Sequence, residues 1–477
     1  MIDLKLKLDA SAVIGKAQPL LYGGLVEHLG RGIYGGVYDP DDPTADADGF
    51  RQDVLEAVKG LRIAIARYPG GCFTDLWCWE DGVGPHRAVR LDPAWKQLEP
   101  NTFGLHEFVK WCRKGGIEPM LTLNVGLRNA LDAARLVEYC NFPGGTELSE
   151  LRKAHGAPEP FGIKYFCLGN ELYAPWEFGQ TDAHTYALRA RECAKVIRAL
   201  CPDARLILCG CGCDNDWNRQ VLEICYNHVD AISLHFGFGT NDPDDIYYHA
   251  LSVHERTLEG CAAIIAELRP KRKSDHRVGI AIDEWIVWDG SESSDDPPYT
   301  VGRHLLEQNF PLREALMCGA FLSRFLHNHC DCVDLACVAQ AVNVIAPIRT
   351  APNGVLWRQG NYGPMAYAAC YGCGDVLRLG ELPDGLHASA VRAADNSLAL
   401  FVTNLNFEPC ALHAEVAGMA AKTLLEAVVL HSDDETAFNT ADSTPLQPQP
   451  LEGVALADGA LSATLPSRSW TCLRMQA

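Results

Sequence analysis

Eight short apolar runs alternate with longer helical patterns between residues 20 and 348, and no other feature of the sequence limits the fold as strongly. The runs read LYGGLVEHL, LRIAIARY, IEPMLTLNV, IKYFCLGNE, RLILCGC, DAISLHF, VGIAIDEW and DLACVAQ. Several are apolar on both faces, as strands of a buried parallel sheet must be. Helical patterns lie between them, for example at 50–59, 104–115 and 183–200. Eight strands with intervening helices predict a TIM (β/α)₈ barrel.

The pattern changes near residue 367, where short alternating runs are separated by turn residues. These runs read LHASAVRA, SLALFVTNL, CALHAEVAG, TLLEAVVLH and SWTCLRMQ. They predict an antiparallel, jelly-roll-like β-sandwich. The first residues, IDLKLKL, alternate in the same way, so we expect this strand to complete the sandwich. The fold class is therefore α/β, with an N-terminal strand at 1–16, the barrel at 17–366 and the sandwich at 367–477.

Charge and hydropathy exclude several classes of protein. The chain has 41 basic and 61 acidic residues and a formal net charge of -20, and so acidic a surface would repel nucleic-acid phosphates. No run approaches the roughly 18 apolar residues of a membrane helix. The alternating N-terminus lacks the apolar region of a signal peptide. We therefore expect no nucleic-acid partner, no membrane partner and a cytoplasmic location.

The chain contains 20 cysteines, and most lie singly inside apolar runs, as Cys167, Cys225 and Cys318 do. Free cysteine in such runs behaves as a small buried apolar residue. Two clusters, CGCGC at 209–213 and HNHCDC at 327–332, contain residues that can bind metals. Neither has the paired C-x-x-C spacing of a structural zinc site. We expect packed thiols, no metal and no cofactor, with metal binding by the clusters left open.

The chemistry of a TIM barrel sits at the carboxyl ends of its strands, so the polar residues that end each run are informative. These residues are Glu27, Arg67, Asn124, Asn170 with Glu171, His235, Asp283 with Glu284, and Gln340. Glu171 and Glu284 end the fourth and seventh runs. Those strands lie on opposite sides of an eight-stranded barrel. We therefore expect the two carboxylates to face each other across its mouth.

Two opposed carboxylates are typical of glycoside hydrolysis. One, kept protonated by its surroundings, gives a proton to the leaving oxygen, and the other attacks the anomeric carbon. A separation of about 5 to 5.5 Å indicates a retaining enzyme and a wider one an inverting enzyme. Asn170, Trp176 and Trp288 lie near these glutamates in the sequence. An amide can bond sugar hydroxyls and aromatic rings suit sugar faces, although Trp288 could equally belong to the core.

The ordered set of motifs resembles glycoside hydrolase family 51, the α-L-arabinofuranosidases with catalytic glutamates on barrel strands four and seven. The matching segments are VEHLGRGIYGGVYDP, RYPGG, WEDGVGP, LDPAWK, GNE, DEW and AQAVNVIAPI. They span nearly the whole predicted barrel in the order that the family has. The resemblance also implies a C-terminal sandwich completed by an N-terminal strand. It further implies a homo-oligomer, specifically a hexamer.

The resemblance implies a role for each candidate residue. Glu171 matches the general acid/base and Glu284 the nucleophile. Arg67 is expected to support the nucleophile electrostatically, or to form a structural ion pair beneath the site. The substrate-binding positions of the family fall on Glu27, Cys72, Asn170, His235, Trp288 and Gln340.

Three positions depart from the family pattern. Cys72 stands where the family usually has an asparagine that touches the sugar, and a thiol is a weaker hydrogen-bonding group than an amide. Gly237 stands where a tyrosine usually follows the strand-six histidine. The usual Met-Asp-Gly after GNE is replaced by LYA at 172–174. The catalytic pair is intact, whereas the wall of the pocket is altered.

The sequence thus predicts a retaining exo-glycoside hydrolase that releases terminal α-L-arabinofuranosyl residues from an oligosaccharide substrate by double displacement. One alternative keeps the chemistry but changes the sugar to another furanoside, a β-xyloside or a β-glucan. A second is a non-catalytic carbohydrate-binding barrel. A third is a metal-dependent hydrolase that uses the histidines and cysteines.

Overall fold

A computed structural model of the protein describes residues 1–272, 275–291, 294–418 and 423–476. Its strands form a barrel, the two sheets of a sandwich and two short hairpins. In chain order they are β1 (Ile2–Asp9), β2 (Val13–Ala17), β3 (Gly23–Leu25), β4 (Ile65–Tyr68), β5 (Arg90–Asp92), β6 (Gln97–Glu99), β7 (Glu118–Thr122), β8 (Tyr165–Leu168), β9 (Arg205–Leu208), β10 (Ala231–Gly239), β11 (Gly279–Trp288), β12 (Val333–Val338), β13 (Ile348–Ala351), β14 (Val355–Arg358), β15 (Gly374–Leu377), β16 (Leu386–Arg392), β17 (Ser397–Asn404), β18 (Cys410–Ala417), β19 (Thr423–His431), β20 (Gln449–Pro450), β21 (Ala455–Ala457), β22 (Ala460–Leu465) and β23 (Ser469–Gln476).

At least one helix follows each barrel strand along the chain. The helices are α1 (Gln52–Gly60), α2 (Leu105–Gly115), α3 (Ala130–Asn141), α4 (Glu147–Ala154), α5 (Ala183–Leu200), α6 (Asn215–Cys225), α7 (Asp244–Lys271), α8 (Leu312–Phe321) and α9 (Tyr362–Tyr371). Shorter 3₁₀ segments include Cys72–Leu76, and a π-helical turn at Leu322–His327 follows α8. Within the described ranges, no helix is long and apolar enough to cross a membrane.

Eight parallel strands close into the predicted barrel in the order β3, β4, β7, β8, β9, β10, β11 and β12. The order of the strands around the barrel is the same as their order along the chain, which is the connectivity of a TIM barrel. Each of the eight runs identified in the sequence overlaps one of these strands. The fold class predicted from the alternation of strands and helices is therefore confirmed.

A separate layer of buried side chains fills the barrel interior. Its members are Ile65, Met120, Cys167, Ile207, Ala231, Ala281, Leu335 and Cys337. The two cysteines in this layer agree with the interpretation of isolated cysteines as small apolar side chains. Because the interior is packed, the carboxyl ends of the strands are left as the place for a ligand.

Two sheets form the C-terminal sandwich. One has the order β1-β18-β22-β21 and the other the order β2-β15-β16-β17-β23-β19-β20. In β1, the buried residues Leu4, Leu6 and Leu8 alternate with exposed neighbours. They share one core with Leu412 of β18 and Leu473 of β23. This core between two sheets is the sandwich that the alternating runs predict.

The N-terminal segment departs from a purely antiparallel sandwich. β1 runs parallel to β18, with Ile2 opposite Cys410 and Asp9 opposite Ala417. β2 then crosses to the other sheet, where it runs antiparallel to β15. A short hairpin would force an antiparallel pairing. β1 and β18 are instead joined through the whole barrel, so their direction is not set by a turn.

The predicted limits of the three parts, at residues 17 and 367, stay predictions. They fall inside β2 and α9 respectively. The sequence pattern does not predict β15, β20, β21 or β22. These strands are short or built from alanine, serine and threonine, so they lack the bulky apolar alternation that marks a strand in sequence.

Candidate active site

A cavity of about 540 Å³ opens at the carboxyl ends of the barrel strands. Seven of the predicted site residues line it, namely Glu27, Cys72, Glu171, His235, Glu284, Trp288 and Gln340. The other two, Arg67 and Asn170, are buried next to this lining. Asn124 also follows a strand, but its amide donates to the backbone oxygen of Asp75 over 2.6 Å and fixes the chain after β4.

Glu171 follows β8, and its carboxylate accepts three hydrogen bonds. His235 Nδ1 lies 2.9 Å from Glu171 Oε1. The Tyr173 hydroxyl donates to the same oxygen over 3.1 Å, and Trp176 Nε1 donates to Oε2 over 2.9 Å. The backbone of Glu171 has a φ of 39°. This left-handed conformation is uncommon for a residue other than glycine, and such outliers cluster at functional sites.

The buried guanidinium of Arg67, on β4, connects residues from three strand ends. Its Nη1 donates to Glu284 Oε2 over 2.9 Å, and its Nη2 donates to Asn170 Oδ1 over 2.6 Å. Its Nε lies 3.2 Å from Asp283 Oδ2. A buried cation requires anionic partners of this kind. Arg67 thus forms the buried ion pair beneath the site and also holds the carboxylate of Glu284.

His235, on β10, lies between the two glutamates. Its partner across the sheet is Glu284 on β11. His235 Nδ1 is 2.9 Å from Glu171 Oε1 and 3.7 Å from Glu284 Oε2, so those two oxygens are no farther apart than the sum of these distances. Inverting glycosidases hold their carboxyl groups about 6.5 to 9.5 Å apart and retaining ones about 5 to 5.5 Å. The contacts with His235 therefore favour the shorter, retaining separation.

The surroundings of His235 favour its protonated form. Burial would lower the pKa of the imidazole, but the neighbouring Glu284, Asp283 and Glu171 raise it to about 10. Burial would also raise the pKa of Glu171, but the hydrogen bonds from His235, Trp176 and Tyr173 lower it. The three donors to Glu171 favour its charged form, so the protonated acid expected from the sequence stays a prediction.

The carboxylate of Glu284 is less well stabilised than that of Glu171. Burial and the charge of Glu171 raise the pKa of Glu284, although His235 and Arg67 oppose this shift. Arg67 Nη1 donates to it, whereas His235 Nδ1 is too distant for a hydrogen bond. A carboxylate with few donors keeps more of its nucleophilic character than a fully hydrogen-bonded one.

Glu27 follows β3 and lies on another side of the cavity. Its Oε1 accepts from Trp95 Nε1 over 3.1 Å and from the Phe73 backbone N–H over 3.2 Å. Its Oε2 accepts from Gln340 Nε2 over 2.7 Å. Burial and the charge of Glu284 raise the pKa of Glu27 to about 7. Gln340 and Trp95 hold this carboxylate in place at the cavity wall.

The RYPGG turn brings its backbone against Glu27. A Cβ at Gly70 would lie 2.3 Å from Glu27 Cγ, so only glycine allows this approach. The chain then enters the 3₁₀ segment Cys72–Leu76, and the Cys72 thiol donates to Glu177 Oε1 over 2.9 Å. Gly237 also lines the cavity. The cavity wall therefore has a thiol at Cys72, where the resemblance predicts an amide. It has no side chain at Gly237, where the resemblance predicts a phenol.

Two tryptophans flank the mouth of the cavity. The side chain of Trp176 is 61% exposed. Trp288 lines the cavity, packs partly against the core and donates from Nε1 to the Ser291 backbone oxygen over 3.2 Å. Trp288 therefore belongs both to the cavity wall and to the edge of the core. Exposed indole faces beside carboxylates suit a sugar ring.

The two cysteine clusters differ in their surroundings. In CGCGC, the Cys211 and Cys213 sulfurs lie 3.3 Å apart beside the cavity. In HNHCDC, potential ligand atoms of His329, Asp331 and Cys332 lie within 4.8 Å of one another. His329 Nε2 is 3.0 Å from Glu255, whose carboxylate also pairs with Arg324. A cation at this second cluster would compete with that existing ion pair.

Several residues at the cavity were not assigned to the site from the sequence, including Tyr173 and Trp176, which donate to Glu171. Trp95 donates to Glu27 and lines the cavity, and its place in LDPAWK was the signal that could have found it. Asp75 and Glu177 are buried beside Cys72. No sequence pattern marks them, because their burial depends on how the loops after β4 and β8 meet.

Comparisons with known proteins agree with this geometry. The model of the α-L-arabinofuranosidase 1 domain matches residues 57–238, and that of the α-L-arabinofuranosidase C-terminal domain matches 283–469. An intracellular exo-α-(1→5)-L-arabinofuranosidase of Streptomyces lividans is 39% identical, over 99% of this chain and 75% of that protein. An intracellular exo-α-(1→5)-L-arabinofuranosidase of Bacillus subtilis is 36% identical, over 100% of this chain and 99% of that protein.

Solved structures are similar over the whole chain. A family 51 α-L-arabinofuranosidase from Bifidobacterium longum has a TM-score of 0.94 at 32% identity, with 100% of both chains covered. An α-L-arabinofuranosidase from Thermotoga maritima, solved as an arabinose complex, has a TM-score of 0.89 at 30% identity, with 99% of this chain and 100% of that chain covered. The chain therefore belongs to glycoside hydrolase family 51, the α-L-arabinofuranosidases.

Proposed function

We propose that this glycoside hydrolase removes terminal α-L-arabinofuranosyl residues from oligosaccharides with retention of configuration. The observation that carries the proposal is the position of His235 Nδ1, 2.9 Å from Glu171 and 3.7 Å from Glu284. Two carboxyl groups this close suit a nucleophile and an acid/base that act on one sugar. The names of the Streptomyces and Bacillus relatives support both the sugar and the exo mode of attack.

In the first step, a carboxylate oxygen of Glu284 attacks the anomeric carbon. The bond from that carbon to the glycosidic oxygen breaks, and the leaving oxygen takes a proton from Glu171. The sugar is then held as an ester of Glu284. Arg67 donates to Glu284 Oε2, so it orients the carboxylate throughout this step.

In the second step, Glu171 acts as a base. Its carboxylate takes a proton from water while the water oxygen attacks the anomeric carbon and the ester bond breaks. Two inversions at that carbon give an α-configured product. Glu284 is released as a carboxylate, and the proton that Glu171 has taken from water returns to His235 for the next cycle.

His235 supplies the proton that Glu171 needs at the start. Its Nδ1 lies 2.9 Å from Glu171 Oε1, and the charge of Glu284 is the largest favourable contribution to the raised pKa of His235. When Glu284 forms the ester, that charge disappears and the imidazole becomes more acidic. The proton then moves toward Glu171 at the stage when the leaving oxygen requires it.

Sugar hydroxyls are bound by groups that already have fixed orientations. Arg67 holds the Asn170 oxygen, and Glu177 accepts from Asn170 Nδ2 over 3.0 Å. One N–H of this amide is left for the 2-hydroxyl, where a bond that tightens in the transition state assists catalysis. Glu27, held by Gln340, offers carboxylate oxygens to other hydroxyls of the same sugar.

Cys72→Asn is expected to lower KM for 4-nitrophenyl α-L-arabinofuranoside by about 3- to 10-fold. An amide can donate to the sugar more strongly than a thiol, and one neutral hydrogen bond contributes about 0.5 to 1.5 kcal/mol. Steady-state kinetics measure this change. Cys78→Asn is the matched control, because Cys78 is an exposed cysteine of the same loop. An unchanged or higher KM in Cys72→Asn would contradict this prediction, because it would show that the thiol does not weaken binding of the arabinofuranoside.

The location and the assembly of the enzyme are also proposals. The word intracellular in the names of the relatives supports a cytoplasmic enzyme that acts on imported oligosaccharides. The family resemblance supports a homo-oligomer, which we propose to be a hexamer. Light scattering of the purified protein measures its mass, and a monomer would contradict this assembly.

The proposed function is tested by hydrolysis of 4-nitrophenyl α-L-arabinofuranoside beside the β-D-xyloside, the β-D-galactofuranoside and the β-D-glucoside. We expect clear turnover of the arabinofuranoside, loss of turnover in Glu284→Ala and no effect of a metal chelator. Activity on a different glycoside alone would contradict the assignment of the sugar. Inhibition by the chelator would favour the metal-dependent alternative.

A further inference from the structure

Two buried carboxyl groups lie next to the active site, and neither exchanges a proton with the substrate in the mechanism above. Asp75 lies in the 3₁₀ segment Cys72–Leu76 after β4, and Glu177 lies in the turns after β8. They are 2% and 5% exposed, respectively. Burying two ionised carboxylates side by side is strongly unfavourable, because neither charge is solvated and the two repel each other.

The hydrogen bonds around these groups are unevenly distributed. Glu177 Oε1 accepts from the Cys72 thiol over 2.9 Å and from Asn170 Nδ2 over 3.0 Å. The remaining oxygens, Glu177 Oε2 and Asp75 Oδ2, are buried and have no donor among the described residues. Each of the two carboxyl groups shifts the pKa of the other, so they are close neighbours. A single proton between them would satisfy both of the oxygens that lack a donor.

The surroundings place that proton on Glu177. Burial raises the pKa of Asp75 to about 6, although Glu177 and the nearby backbone N–H of Phe178 oppose this shift, so Asp75 remains the stronger acid of the two. Glu177 is faced by Asp75, Cys72 and Glu171, and Asp75 is also faced by Glu27. All of these neighbours are acidic groups or a thiol. Burial, followed by Asp75, raises the pKa of Glu177 to about 10.

We propose that Glu177 is a neutral carboxylic acid that donates to the carboxylate of Asp75 and acts as a positioning residue for Asn170 and Cys72. Its hydroxyl points at Asp75, so its carbonyl oxygen Oε1 remains the acceptor for the Asn170 amide and the Cys72 thiol. These two residues are thereby held toward the sugar. This deepens the proposed function, since the positions of Asn170 and Cys72 matter only if that cavity binds a glycoside.

The proposal predicts a particular dependence of stability on pH. In the unfolded chain, Glu177 loses its proton near its ordinary pKa of 4.5, whereas the folded protein keeps it to about 10. Between these values the folded state binds one more proton than the unfolded state, so this group lowers the stability progressively as pH rises. Glutamine has the same shape, donates and accepts in the same places, and cannot ionise.

Thermal unfolding of the wild type and Glu177→Gln, from about pH 5 to about pH 9, tests the protonation directly. We expect the Tm of Glu177→Gln to rise relative to the wild type by about 5 °C over this range. Other buried carboxyl groups titrate in both proteins and cancel in the difference. Parallel Tm curves would overturn the proposal, because an ionised Glu177 contributes no such slope.

Kinetics test the positioning role. Glu177→Gln should keep kcat/KM on 4-nitrophenyl α-L-arabinofuranoside within about threefold of the wild type, whereas Glu177→Leu, which loses the acceptor, should lower it by about 10-fold or more. Equal losses in both variants would overturn the proposal. The Tm comparison requires no substrate. If the wild type had no arabinofuranosidase activity, the proposed function would be contradicted, but the Tm curves would still show whether Glu177 is protonated.

Discussion

Glu284→Ala is expected to lower kcat on 4-nitrophenyl α-L-arabinofuranoside by about 10⁴-fold or more, because no other group can form the covalent ester. Arg67, which donates to Glu284 over 2.9 Å, would then face a small empty space. Added azide can enter that space and attack the anomeric carbon from the same face as the lost carboxylate. The product is expected to be the glycosyl azide of inverted configuration, which NMR identifies.

The matched control for this variant is Glu415→Ala, on an exposed position of β18 far from the barrel mouth. Its kcat should equal that of the wild type. Retention of more than about a tenth of the activity by Glu284→Ala, or an azide product of retained configuration, would contradict the assignment of the nucleophile.

The loss of activity in Glu171→Ala is expected to differ between substrates, and to be larger where the leaving group requires a proton. On arabino-oligosaccharides we expect a loss of about 10² to 10⁴ in kcat/KM, which is the usual contribution of general acid catalysis. On 4-nitrophenyl α-L-arabinofuranoside the loss in the first step should be much smaller, because 4-nitrophenolate leaves without protonation. Rates on both substrates, measured side by side, provide the comparison.

The pH profile is a second measurement on the same variant. The wild type should show a bell-shaped profile that reports the coupled group of Glu171, Glu284 and His235 rather than one residue. Glu171→Ala should lose the alkaline limb, since that limb marks loss of the acid's proton. Equal losses on both substrates, with the bell shape intact, would show that Glu171 is not the acid/base.

The barrel and the catalytic pair could be predicted because each depends on local patterns. Parallel strands buried on both faces give apolar runs, and a barrel places the residues after those runs at one mouth. Glu171 and Glu284 follow from that rule alone. The order of the eight runs also places Glu171 after the fourth strand and Glu284 on the seventh. Because consecutive strands are neighbours in the barrel, His235 on the sixth strand lies beside Glu284.

The remainder of the site depends on contacts between distant loops. Asp75 and Glu177 become neighbours only when the chain after β4 meets the chain after β8. Likewise, the three donors to Glu171 come from its own loop and from β10, and together they lower the pKa of Glu171. The parallel direction of β1 has the same origin, because its partner is more than 400 residues away in sequence.

The central claim is that Glu284 carries the sugar while Glu171 assists its departure and release. It is tested most directly by mixing Glu171→Ala with 4-nitrophenyl α-L-arabinofuranoside and mapping the protein by mass spectrometry. Without the base, the ester should form and then hydrolyse slowly. The predicted result is one arabinofuranosyl group on the peptide that contains Glu284. A label on a different residue, or rapid turnover with no label and an inverted product, would contradict the account.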